Sequence, residues 1–153
     1  MRWQASQVRA GNYDRQHLDA DALAESLEGF GANWLKVISS RTSIALNRVA
    51  VAHAGSGRSN LGRIVLANGR LAIGERLKPL LEDARAAGLI AFDDAETAFQ
   101  TFFGLVGRDV QIRLLLGDRL TMTEADIARD AARATRQFLA LHRAQTGAGA
   151  AGA

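Results

Sequence analysis

The stretch FDDAETAFQTFFGLVGRDVQIRLLLGD, residues 92–118, decides the fold. Asp93 and Glu96 stand at capping-box spacing, an aspartate in place of the usual hydroxyl, and predict a helix from about 94 to 116 that Gly117-Asp118 ends. At about 100° per residue, Phe99, Phe102, Phe103, Val106, Val110 and Leu114 cover one side of it. Ala98, Leu105, Ile112 and Leu116 widen the apolar arc to roughly 200°, against the ~100° stripe of an ordinary surface helix. Such a helix needs covering on two sides. Its own domain supplies one cover, and a partner subunit or a ligand supplies the second. Asp109 and Arg113 lie within the arc, four apart with the acid first, an order that permits an intrahelical pair. Buried charges need each other or another partner. These two therefore read as a structural ion pair, a polar anchor in a ligand cavity or an interface contact.

Downstream, Thr121 and Glu124 form a second capping-box spacing ahead of a helix to about His142. Ile127, Ala131, Ala134, Phe138 and Leu141 make its apolar face, widened by Ala128, Thr135 and Leu139. Arg129, Arg133 and Arg136 lie opposite with no interleaved aromatics, which reads as a solvated face rather than a nucleic-acid stripe. Residues 145–153 are a Gly/Ala-rich tail of disordered composition.

Upstream, Leu23, Leu27, Phe30, Trp34 and Ile38 form the stripe of an amphipathic helix opened by Asp19 or Asp21 and closed near Ser39-Ser40. TSIALNRVAVAHA, residues 42–54, is a second, mostly apolar helix. Within it Arg48 requires a carboxylate or carbonyl partner, and His53 is placed to cap the C-terminal end. GSGRSN at 55–60 breaks the pattern; a short helix over 61–67 follows, and Asn68-Gly69 interrupts again. Arg70 to Ala87 reads as a helix that Pro79 kinks or divides and Gly88 closes with a left-handed cap, Leu89 and Ile90 packing back. Residues 1–20 read as an irregular lead-in. With no strand-like alternation and no internal repeat, the expected fold is all-α, about six helices over residues 21–144.

Composition narrows the function. At 153 residues the chain suits one domain. No cysteine means no disulfide, zinc-thiolate site or thiol nucleophile. The net charge of +3 is a mild field, nearly all arginine, since only Lys36 and Lys78 are lysines. His17, His53 and His142 are scattered and show no metal-ligand spacing. GSGRSN follows a helix rather than a strand, so it does not read as a phosphate loop. Glu82-Asp83 and Asp93-Asp94 read as surface and capping carboxylates, not an acid/base dyad. No enzyme, cofactor or metal is expected. No apolar run reaches the ~20 residues of a membrane span, so a soluble, cytoplasmic protein with no membrane partner is expected.

Four segments taken in order carry a family resemblance: SIALNRVAVAHA (43–54), ERLKPLLEDARAAGLI (75–90), residues 92–118 above, and ADIARDAARATRQFLALHRA (125–144). Together they resemble the C-terminal regulatory domain of tetracycline-repressor-type (TetR) transcriptional regulators, particularly the AcrR/AefR-like subgroup. The resemblance implies that the last two long helices join those of a second copy in a four-helix dimer interface. Phe99, Phe103, Val106, Val110, Ile127, Ala131, Ala134, Phe138 and Leu141 would supply it. It also implies a cavity for a small apolar or amphipathic effector, with Trp34, Arg48, Phe102, Asp109 and Arg113 as candidate lining. The family's N-terminal helix-turn-helix is not recognisable in residues 1–20, its common Phe-Pro is replaced by Ser56-Gly57-Arg58-Ser59, and Pro79 is an added interruption. The expectation is thus a homodimeric effector-binding domain that contacts DNA only if a helix-turn-helix is supplied upstream or by a partner. The alternative is a helical protein–protein interaction module without a ligand cavity.

Overall fold

Asp19 opens the first helix, its carboxylate accepting the Ala22 backbone N–H at 2.8 Å. The computed structural model describes residues 17–57 and 60–144; the lead-in up to residue 16, Arg58-Ser59 and the Gly/Ala tail lie outside the described residues. Helix α1 (Ala20–Ser39) buries Leu23, Leu27, Phe30, Trp34 and Ile38, the stripe read from sequence. Ser40 is extended; its hydroxyl donates to the Val37 carbonyl at 2.9 Å and accepts the Ser43 N–H at 3.2 Å. One residue thereby closes α1 and opens α2 (Arg41–His53).

Leu61–Leu66 (α3) and Ala72–Ala86 (α4) form one continuous rod through a widened π turn at Ala67–Leu71. The break expected at Asn68-Gly69 is this turn. The Asn68 amide donates to the Ile64 carbonyl at 2.9 Å, taking an acceptor that the regular ladder would use. Pro79 does not divide α4 either. It and Glu75 are both exposed, so the carbonyl left without its donor lies on the solvent side. Gly88 closes the rod as expected, at φ 73, with the Leu89 N–H reaching the Ala84 carbonyl and the Gly88 N–H the Arg85 carbonyl, both at 3.0 Å.

The deciding stretch departs from its sequence reading at its start and in its interior. Asp94, not Asp93, is the N-cap, accepting the Thr97 N–H at 2.9 Å. The single helix expected over 94–116 is two: α5 (Ala95–Gly107) and α6 (Val110–Leu115). Between them Arg108 (φ 44, ψ −128) and Asp109 (φ −96, ψ 1) take the dihedrals of a type II′ turn. Gly104 and Gly107 lower the helix propensity just ahead of that turn, and Gly107 packs beside Ile38 and Trp34. The last helix, α7 (Glu124–Leu141), is capped by Thr123 and Asp126 rather than by Thr121 and Glu124. The Asp126 N–H donates to the Thr123 hydroxyl and the Thr123 N–H to the Asp126 carboxylate, each at 3.1 Å.

Among the described residues the fold is all-helical, six rods when α3, the π turn and α4 count as one. The core lies between α1, α4, α5 and α7, with α7 antiparallel to both α1 and α5. Lys36 near the end of α1 meets Glu124 at the start of α7 (2.8 Å), and Phe102 of α5 meets Phe138 of α7, ring centroids 5.3 Å apart. Gly31 permits the close approach of these helices: a Cβ there would stand 3.3 Å from Val106 and 3.4 Å from Ala131.

Candidate functional site

Beside this core the helices border a half-open cavity of about 370 Å³, inside the size range of small-molecule sites. Its base is aromatic: Trp34 of α1 and Phe103 of α5, ring centroids 4.7 Å apart and tilted 42°. One wall is a stripe of α2, comprising Ser43, Asn47, Ala50, Val51 and Ala54 at helical spacing. The facing wall is Gly62, Val65, Leu66 and Gly69, a second stripe that α3 continues into the π turn. The π turn widens the backbone spiral at the point where Gly69 and Arg70 reach the cavity. Val37 and Ile38 of α1 and Gln111 of α6 complete the lining.

Arg70 is the one ionisable side chain among these residues. Its guanidinium lies over the Phe103 and Phe99 rings, 5.5 and 5.6 Å from their centroids. Its nearest carboxylate, Glu96, stands 3.7 Å away. Glu96 is held more closely by Lys78 at 2.7 Å, and that bond, followed by one from Gln100, keeps its carboxyl below the usual glutamate range. Lys78 is raised in turn by Glu96 and then Glu75. Trp34 is buried, and its Nε1 has no hydrogen-bond partner.

Of the five residues expected at an effector cavity, Trp34 lines this one, and the other four do not join it. Arg48 is exposed and finds the carbonyl partners its position demanded. Its Nη2 donates to Leu114 at 2.7 Å and its Nε to Leu115 at 3.1 Å, capping α6 from α2. Phe102 points the other way from its neighbour Phe103, into the core between Phe30 and Phe138. Asp109 and Arg113 are exposed and border a separate, smaller cleft of about 200 Å³. The break at Arg108 takes them off the expected arc, and Arg113 turns to Asp118 at 2.6 Å instead of Asp109.

The residues expected at a partner interface divide similarly. Phe99, Val106, Val110, Ile127, Ala131, Ala134 and Phe138 are buried within the protomer, covered by its own helices, and Phe103 is the cavity wall. Leu141 alone of that set is exposed, at 67%. The exposed apolar side chains at this end of the chain also include Ile112 (52%) and Leu116 (81%) of the α6 region. Ser43, Asn47, Arg70 and Gln111 were not singled out from sequence. The readable signal was the Ser43–Asn47–Val51–Ala54 spacing, a small and polar face on an otherwise apolar helix. Among the described residues no group of three His, Asp or Glu could hold a metal ion, and no helix is long and apolar enough to cross a membrane.

Comparison with known proteins places these features. Residues 25–144 match the family model of the AefR-like transcriptional repressor C-terminal domain. A TetR transcriptional regulator from Agrobacterium tumefaciens is 34% identical, with a TM-score of 0.75 over 93% of this chain and 71% of that one. The flavonoid-responsive regulator FrrA shares the fold at 24% identity, TM-score 0.77, over 94% of this chain and 69% of its own. A TetR-family regulator from Mesorhizobium loti shares it at 16% identity, TM-score 0.72, over 93% of this chain and 65% of its own. No curated protein matches. The chain therefore belongs to the TetR family of transcriptional regulators, and residues 25–144 form its AefR-like C-terminal domain.

Proposed function

We propose that this chain is the effector-binding and dimerisation part of a cytoplasmic transcriptional regulator, and that the cavity over Trp34 and Phe103 receives a small organic effector. The cavity carries the reading: it is apolar along most of its lining, has few polar groups, and is walled chiefly by α1, α2 and the segment from α3 into the π turn. The response of FrrA to a flavonoid belongs to that protein, and it supports small-molecule sensing on this fold. DNA contact would run through a helix-turn-helix supplied upstream or by a partner. Trp34 remains the sequence-derived candidate for effector contact; Ser43, Asn47, Arg70, Phe103 and Gln111 join it. The open cavity counts against a purely protein-binding module.

Filling the cavity tests the reading. A Cβ at Gly62 would meet no heavy atom within 4 Å, so a large side chain there has room. Gly62→Trp also raises helix propensity by a few tenths of a kcal/mol, so folding should not suffer. N-phenyl-1-naphthylamine, a neutral probe that fluoresces in apolar surroundings, is expected to light up with the unaltered chain and not with Gly62→Trp at equal Tm. Equal fluorescence from both proteins would remove this cavity as the effector site.

A further inference from the structure

We infer that the effector is a flat aromatic carboxylate, its ring system lying against Trp34 and Phe103 and its carboxylate taken by Arg70. The inference rests on the cavity being the effector site and specifies what that site selects. The cavity lining contains one cation and no acid: Arg70 is joined by Ser43, Asn47, Gln111 and apolar residues, with no Asp, Glu, Lys or His. A cationic ligand would meet the guanidinium with no acid in the lining to offset it, whereas an anion would pair with it.

Arg70 is available for that role. Glu96 lies at 3.7 Å, beyond a good charge-assisted hydrogen bond, and gives its shorter contact to Lys78 at 2.7 Å. The planar fork of a guanidinium matches a carboxylate through two parallel N–H···O bonds, a geometry that an ammonium cannot reproduce. The guanidinium plane is also steadied over the Phe99 and Phe103 rings, which limits the conformational freedom it would lose on binding. Beside it the half-buried Phe103 ring, backed by the buried Trp34 at 4.7 Å, gives the cavity an aromatic surface, and aromatic partners gain more there than aliphatic ones of equal area. The small residues opposite, Gly62 and Gly69 on one wall and Ala50 and Ala54 on the other, leave room between the walls for a ring system.

The test displaces bound N-phenyl-1-naphthylamine with three probes of the same ring system: 1-naphthoate, 1-naphthalenemethanol and 1-naphthylmethylammonium. Naphthoate is expected to compete at least about tenfold better than the neutral alcohol, the size of effect of a hydrogen bond to a charged group, and the ammonium worst. Arg70→Met should bring naphthoate down to the level of the alcohol and leave the alcohol unchanged; Arg70→Lys should restore only part. Because Arg70→Met also removes the cation that lies over the phenylalanine rings, Glu96→Gln provides an independent arm: it removes the competing carboxylate and should tighten naphthoate binding alone. Equal competition by naphthoate and alcohol, or no response to either substitution, overturns the carboxylate assignment and leaves the cavity reading standing. Failure of N-phenyl-1-naphthylamine itself to bind overturns both.

Discussion

Arg108 is the one non-glycine residue at positive φ among the described residues, and it sits at the first central position of a type II′ turn. That position favours glycine because a Cβ crowds the flanking peptide at φ 44, ψ −128. Holding a side chain there costs on the order of 1–3 kcal/mol, partly offset in a glycine variant by the greater freedom of the unfolded chain. Arg108→Gly should therefore stabilise the domain by about 1 kcal/mol, a rise in Tm of roughly 2–4 °C for a chain of this size. Thermal unfolding followed by circular dichroism measures it, and a Tm equal to or below that of the parent would show that the arginine side chain earns its place by some contact. The same scale separates two adjacent phenylalanines. Phe102 lies between Phe30 and Phe138 in the core, and Phe103 faces Trp34 across the cavity floor. Helical periodicity put both on one broad arc, 100° apart, and could not say which edge of it met the core and which the cavity.

Rods were legible because their signal is local, and joints were less so because theirs is not. The stripe Leu23–Leu27–Phe30–Trp34–Ile38 and the left-handed Gly88 cap follow from spacing and backbone sterics within a few residues, and both stand in the structure. The break at 107–110 depends on Gly107 packing against α1 and on Arg48 capping α6 from 66 and 67 residues away, relations no local window contains. Burial of Phe99, Val106 and Phe138 was likewise legible, but not whether their cover is intramolecular, since a neighbouring helix and a partner leave the same apolar pattern. The helix starts carry their own consequence. The Thr97 side chain and backbone hold Asp94 below the ordinary aspartate range. Thr123, and then Arg129, do the same for Asp126. Lys78 and then Gln100 hold Glu96 low. A carboxyl with a lower pKa folded than unfolded stabilises the fold while ionised. Its contribution is present above the unfolded value, about 4, and is lost as the pH falls through the lowered folded value. Tm is thus expected to drop as the pH is taken from about 5 to about 2. Asp126→Asn should lie below the parent at about pH 6 and converge with it at the acid end; parallel curves would show that the Thr123–Asp126 box does not depend on the charge.

At the scale of the whole molecule, the burial pattern redirects the expected dimer. Residues such as Phe99, Val106, Ile127 and Phe138 are covered inside one protomer, so the proposed dimer would pair through other, exposed side chains. Ile112 and Leu116, at 52% and 81% exposure, lie after the Arg108 turn, and this apolar pair has no cover within the protomer comparable to that of α5. In a two-fold dimer each exposed patch meets itself or its reciprocal, so one altered position acts twice. A stable interface of this kind removes about 800 Å² from each partner, which places two arginines at its centre among the most disruptive of changes. The unaltered chain should scatter light at twice its 16.4 kDa mass at micromolar concentration. Ile112→Arg with Leu116→Arg should halve that mass while keeping helical circular dichroism, because neither side chain supports the core. Phe102→Arg should instead unfold the chain, the cost of a charge between Phe30 and Phe138 being several kcal/mol. A monomeric parent would remove the dimer, and a double variant still at twice the mass would move the interface away from α6 toward Leu141 and the outer face of α7.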